Sequence, residues 1–278
     1  MSLAGAFHPD WLIPQWPAPA GIKAVFTTRA GGVSAAPFEA MNLGSHVGDL
    51  PDSVATNRAI LQRAIGTSRP AFLNQVHGTQ VERLEPGSLD GRPADACLTN
   101  CPKLACTVMV ADCLPMLLAA QDGGAVAAVH AGWRGLAGGQ DGSGQGIVES
   151  VFESFSAFTQ YGRAHQATKI RAWLGPCIGL SAFEVGEEVK AAFGAAHPES
   201  AHLFVPTRAG KYLADLAGLA RQRLQALGIT QIYGNDGSPS WCTVGNSSRF
   251  FSHRRDAGVT GNGFGTTGRM AACIWIDS

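Results

Sequence analysis

Cys113, in "ADCLP", and His130, in "HAGWRG", each stand at the edge of a run of small apolar residues. A thiol and an imidazole brought together can form a nucleophile–base pair, share a metal ion, or simply fill a core. The segments "LPMLLAA" and "GAVAAVH" flank "QDGG", a tight-turn sequence, and this predicts a β-hairpin. With Ala120 opposite Ala125, Pro115 falls opposite His130. Cys113 lies two residues back on the same face, which makes it a diagonal neighbour of His130, about 7–8 Å away by Cα and less by Cβ. A metal ion sits about 2.0–2.3 Å from its nitrogen and sulfur ligands, so it can bridge such a pair without distortion.

His77, in "NQVHG", offers a third ligand at the end of an expected strand, and Gly78 lets the chain turn beside it. Two imidazoles and a thiolate suit zinc, with copper as a possible substitute. Three protein ligands leave a fourth position open, the catalytic arrangement rather than the structural one. Each residue alone also has a plainer reading: Cys113 as buried filler, His130 as a hydrogen-bonded core histidine, His77 as an exposed loop histidine. Cys97, Cys101 and Cys106 have spacings unlike a paired zinc knuckle and read as packing residues, while His8, His165, His197 and His202 read as solvated.

The elements that must position these groups alternate between strands and helices. "IKAVFTTR", "AFLNQVHG", "QVERLEP", "ADACLTNCPKLACTVMVADCLPMLLAA", "GAVAAVHAGW", "KIRAWLGP", "TQIYG" and "MAACIWI" read as strands. "DSVATNRAILQRAIG", stopped by Gly66, reads as a helix, as do "GIVESVFESFSAF", "GEEVKAAFGA" and "LADLAGLARQRLQALG". Adjacent strands joined by a tight turn argue for mixed sheets rather than a purely parallel one. With 278 residues, 45% hydrophobic and 15% charged, one α+β domain over residues 1–278 is expected. Zero formal net charge with no basic block argues against a nucleic-acid partner. No apolar run approaches the roughly 20 residues of a membrane span, and "MSLAGAFHPDWLIPQWPAPA" is unlike a signal peptide. A cytoplasmic protein with free thiols, a monomer or small homo-oligomer, is expected.

The ordered motifs "FTTRAGGVS", "MNLGSHVGD", "NQVHG", "ADCLP", "HAGWRG", "LGPCIG", "FEVG", "FFSHRRD" and "TGRMA" closely resemble one bacterial family, across about residues 22–276. It is the multicopper polyphenol oxidase or laccase-domain family, also termed the YfiH or purine nucleoside phosphorylase family. The resemblance implies a layered α/β/β/α domain with zinc held by His77, Cys113 and His130. It also implies phosphorolysis of adenosine, inosine, guanosine and methylthioadenosine, with adenosine deamination as well. The older oxidase name fits poorly, because the chain has eight histidines and no His-x-His pair from which to build a multicopper centre.

A nucleoside and phosphate as partners call for further groups. Arginine forks suit phosphate, and Arg29, beside glycines, comes first, followed by Arg254 and Arg255, unless Arg255 only pairs with Asp256. Asn42 and Gln75 offer hydrogen bonds to ribose or base. His253 offers acid–base help or packs on Phe250–Phe251, and Cys177 either lines a pocket or is a small buried thiol. Trp133 and Arg134 either stabilise the turn after His130 or touch substrate. Two stretches, "AGGQDGSGQGIVE" and "RRDAGVTGNGFGTTGRM", exceed the family pattern in length and are expected to tune substrate range. Three alternatives remain open: a metal-free cysteine hydrolase using Cys113 and His130, for instance one editing a cell-wall precursor; a non-catalytic metal-binding module closed by a fourth ligand; and a copper-binding polyphenol oxidase.

Overall fold

The computed structural model describes residues 7–138, 144–158, 167, 169–256 and 266–277. The strands are β1 (Ile22–Phe26), β2 (Arg69–Phe72), β3 (Val81–Arg83), β4 (Ala96–Thr99), β5 (Leu104–Val110), β6 (Leu114–Ala120), β7 (Val126–Ala131), β8 (Ile170–Leu174), β9 (Glu184–Gly186), β10 (Phe204–Arg208), β11 (Lys211–Ala214), β12 (Gln231–Gly234) and β13 (Met270–Ile276). The helices are α1 (Pro51–Ile65), α2 (Trp133–Ala137), α3 (Ile147–Phe158), α4 (Glu187–Ala196), α5 (Leu216–Ala226) and the single turn α6 (His253–Asp256). His165 and the middle of each glycine-rich stretch lie outside the described residues.

The expected hairpin forms in the expected register. β6 and β7 pair antiparallel with Pro115 opposite His130, and Ala120 N–H donates to Ala125 O. Every residue of both strands is buried, because each face packs against another layer. One layer is the six-stranded sheet β12-β8-β6-β7-β4-β3, and the next is the four-stranded sheet β1-β13-β5-β2. Both sheets are mixed: β12–β8, β3–β4 and β2–β5 pair parallel, the other pairs antiparallel.

Three apolar cores follow from the two-residue period of the strands. Leu117, Ala119, Val126 and Ala128 point toward Cys106, Val108, Ala272 and Ile274 between the sheets. Met116, Leu118, Ala127 and Val129 point the other way, onto Ile147, Val151 and Phe155 of α3 and Leu219, Ala220 and Leu224 of α5. On the far side of the four-stranded sheet, Leu61, Ala64 and Ile65 of α1 cover Ala105, Ala271 and Cys273. The result is the α/β/β/α layering expected of an α+β domain. No helix among the described residues is long and apolar enough to cross a membrane.

Two local differences from the sequence reading bear on function. The strand expected to run up to His77 stops at Phe72, and the following residues form a loop that bridges back only at Asn74–Pro93. That loop turns because its backbone N–H groups at 76–78 are captured by the Asp95 carboxylate. A small sheet, β10-β11-β9, was not anticipated. Only the first residue of β10 is buried and Pro206 interrupts its register, so it shows no alternation that would mark a strand.

Candidate metal centre

His130 ends β7 beside Cys113, which occupies the bend entering β6, and the loop after β2 brings His77 against both. The three ligand atoms lie within 4.8 Å of one another, with Cys113 Sγ 3.8 Å from His77 Nε2. The two imidazoles meet edge-on, centroids 4.9 Å apart. A tetrahedral ion with bonds of about 2.0–2.3 Å sets its ligands about 3.5 Å apart. The His77–Cys113 pair therefore fits already, and the widest pair needs to close by roughly an ångström. Among the described residues these three form the one such group of His, Cys, Asp or Glu side chains, whereas a multicopper centre needs several.

The positioning device is Asp95, buried at the start of β4 and passed over in the sequence except as part of an apolar strand. Its Oδ1 lies 2.8 Å from His130 Nδ1. The same carboxylate accepts the backbone N–H of Val76, His77 and Gly78 at 3.2, 2.9 and 2.7 Å. A carboxylate can only accept, so Nδ1 carries the proton and His130 Nε2 is left for an ion. Burial raises the Asp95 pKa, but the His130 contact and the backbone donors outweigh it and hold the group ionised. His77 itself has φ +60°, a left-handed conformation uncommon outside glycine, which this triple capture holds in place.

Cys113 and His130 perturb each other. Burial opposes the Cys113 thiolate, yet the His130 and His77 imidazoles overcome it and lower the thiol to about 6. Burial likewise opposes the His130 cation, and the facing thiolate with Asp95 raises it to about 9. Both shifts favour the thiolate–imidazolium form, and an ion held here would take the place of the imidazolium proton.

The site opens into a cavity of about 480 Å³, within the range of small-molecule pockets. Its walls are largely apolar, with Leu73, Trp133, Ile178, Phe183 and Leu216 among them, while His46, His253, Arg254 and Arg269 bring polar groups. Asp112, at φ +90° just before Cys113, binds the walls together: it accepts from the Thr243 hydroxyl and from Arg254 N–H.

The sequence-predicted substrate residues divide. His253 and Arg254 reach the cavity, His253 exposed at its margin, and Arg254 with one guanidinium nitrogen donating to Ala182 and Glu184 carbonyls. Gln75 also lines it, but both ends of its amide pair with the Met109 backbone at 2.7 Å, which extends β5. Arg29 lies outside: its three guanidinium nitrogens bond Glu39 and Ser247, and it stacks on Phe251. Asn42 is fully buried and bonds only protein groups. Cys177 is a buried thiol pushed well up by burial and held by Asn235, away from the centre. Arg255 pairs with Asp256 and with carbonyls of 243, 244 and 250, the structural alternative. Trp133 forms wall, and Arg134 stacks on it. His46, Asp95, Asp112 and Arg269 were missed; a lone aspartate inside the apolar "ADACL" was the one available signal.

Comparison with known proteins agrees with this architecture. Residues 23–277 match the family model described as multi-copper polyphenol oxidoreductase laccase. The chain belongs to this family. A relative in Pseudomonas aeruginosa named purine nucleoside phosphorylase is 43% identical, covering 96% of this chain and 98% of that one. The Escherichia coli purine nucleoside phosphorylase YfiH is 44% identical over 95% of this chain and 98% of its own length. Among solved structures, a Neisseria meningitidis protein is 42% identical with TM-score 0.82, covering 97% of this chain and all of its own. YlmD of Geobacillus stearothermophilus, 30% identical, covers both chains fully with TM-score 0.84.

Proposed function

We propose that this family member is a metal-dependent purine nucleoside enzyme that phosphorolyses adenosine, inosine, guanosine and methylthioadenosine and also deaminates adenosine. The observation that carries the reading is the His77–Cys113–His130 cluster facing an apolar-walled cavity of nucleoside size. The names of the relatives supply the substrate class. Zinc suits the nitrogen–sulfur donors best, copper can replace it, and the bound ion supplies Lewis acidity beside the reacting atoms.

The chain's own residues do the rest. Trp133 and Phe183 provide flat apolar walls for a purine. In phosphorolysis a phosphate oxygen bonds the anomeric carbon while the bond to the purine nitrogen breaks, and the purine leaves with the electron pair and needs a proton. His253, at the cavity margin, is the imidazole placed to hand it over. In deamination, water adds to the purine and ammonia leaves, which again requires proton transfer at the same wall.

The test is phosphate-dependent release of adenine or hypoxanthine by purified protein of known metal content. Loss of release in folded His77→Ala and Cys113→Ala variants supports the reading, and unchanged turnover in either one overturns it. A second reading, a metal-free cysteine hydrolase, draws on the thiolate–imidazolium pair. There, activity survives chelation and is lost on thiol alkylation. The metal enzyme loses activity on chelation and regains it when the ion is returned.

A further inference from the structure

We infer that Arg269 is the oxyanion subsite of this cavity, taking the oxygens of a phosphoryl group, and that Asn42 and Gly44 position it. The inference rests on the reading above and names the group that would hold its second substrate.

Arg269 is held from both sides. Asn42 Oδ1 accepts the backbone N–H of Gly44 and of Arg269, each at 2.9 Å, and Leu43 N–H donates to Arg269 O at 3.1 Å. The segment 42–44 is thereby zipped to the start of β13. The Asn42 amide nitrogen donates to Gly44 O and to Asp49 Oδ2, so all of its polar capacity goes into this join. Gly44 matters for a second reason: a Cβ there would lie 2.8 Å from Arg269 Cγ. The missing side chain is the groove along which the arginine stem runs into the cavity.

Only part of the guanidinium is used by the protein. Nη1 donates to Thr267 O and Gly268 O, which fixes the plane of the fork. Among the described residues, Nε and Nη2 have no hydrogen-bond partner, and no carboxylate lies within ion-pair distance. Asp112 is charged and nearby, but its oxygens already receive the Thr243 hydroxyl and the Arg254 N–H. Burial, opposed by the Cys113 and Asp112 charges, draws the guanidinium below the usual arginine range, yet at neutral pH it stays a cation. Arg269 is half-buried on the cavity wall, and its two free nitrogens, without a direct counter-ion, match the paired acceptors of a tetrahedral oxyanion. His46 also lines the cavity; burial, then Arg269 and Arg58, lower its pKa and keep it a neutral donor suited to the same anion. Arg29, by contrast, has each guanidinium nitrogen engaged elsewhere.

The experiment measures equilibrium binding of inorganic phosphate and of adenosine 5′-monophosphate to metal-loaded wild type, Arg269→Gln, Arg269→Lys and Gly44→Ala. Loss of charge-assisted hydrogen bonds should weaken binding at least about tenfold in Arg269→Gln. Arg269→Lys, with charge but no fork, should recover part of it. Gly44→Ala should weaken phosphate binding while leaving nucleoside affinity within about twofold, a split that general destabilisation would not produce. Dependence of inorganic phosphate binding on Arg269 assigns the subsite to the free co-substrate; dependence for the monophosphate alone assigns it to an esterified phosphate. A folded Arg269→Gln protein that binds both ligands as wild type does overturns the inference. Absence of any phosphorolysis would remove the functional reading instead, and the binding result would still stand.

Discussion

Asp95 Oδ1 receives the Nδ1 proton of His130 at 2.8 Å and the backbone N–H of His77 at 2.9 Å, so one oxygen sets two of the three candidate ligands. The imidazole ring and the loop that carries the other imidazole cannot move independently of that carboxylate. Asp95→Asn keeps the volume but aims an amide nitrogen at donors on one side or the other. We expect metal affinity to fall about 10–100-fold, as for other partners behind metal-bound histidines. Competition against a chelator of known affinity measures this. Wild-type affinity in the variant would show that Asp95 does not orient the ligands.

Gly132 gives a probe that removes no ligand. A Cβ at this position would sit 2.9 Å from His77 Cδ2 and 3.2 Å from Cys113 Sγ. The backbone there, φ −70° and ψ 159°, accepts alanine without strain, so the cost falls on the two side chains. Overpacking of this kind costs about 1–3 kcal/mol, which is roughly 5- to 160-fold in metal affinity if the strain is confined to the ligands. Gly132→Ala should therefore unfold cooperatively like wild type yet bind the ion weakly and turn over nucleoside slowly. Full metal occupancy at wild-type affinity would mean the ligand side chains have room to spare.

How much of this was legible before the structure depends on the kind of interaction involved. The hairpin register, and with it the closeness of Cys113 to His130, follows from a turn sequence and a two-residue period, both local properties. The layered fold follows from the fully apolar β6 and β7, which require cover on both faces. Arg29 and Asn42 looked like substrate contacts because their residue types suit phosphate and ribose. Among their actual partners, Ser247 and Arg269 are more than 200 residues away along the chain. No periodicity encodes such pairings. Asp95 and Arg269 were hidden for the same reason: each looks like an isolated charge at the head of a strand until the fold shows what faces it.

A clasp joins α6 to β13. Asp256 accepts the Thr267 hydroxyl at 2.6 Å and the Arg255 guanidinium at 2.8 Å, spanning the second glycine-rich stretch. Burial raises the Asp256 pKa, but Thr267 and Arg255 outweigh it, so the folded value lies below the ordinary 3.8. The unfolded chain then binds the proton more readily than the folded one. The stabilisation is therefore complete above the unfolded value and disappears as pH falls through the folded one. Because the group is partly solvated, its contribution is at most about 1 kcal/mol. Asp256→Asn should melt a few degrees below wild type near pH 7, and the two melting curves should converge as the pH falls below the folded value of Asp256. A deficit that stays constant across that range would mean the carboxylate charge plays no part. Arg254 and Arg269 stand just outside this clasp on the cavity wall, so loosening it at neutral pH should also raise KM for phosphate.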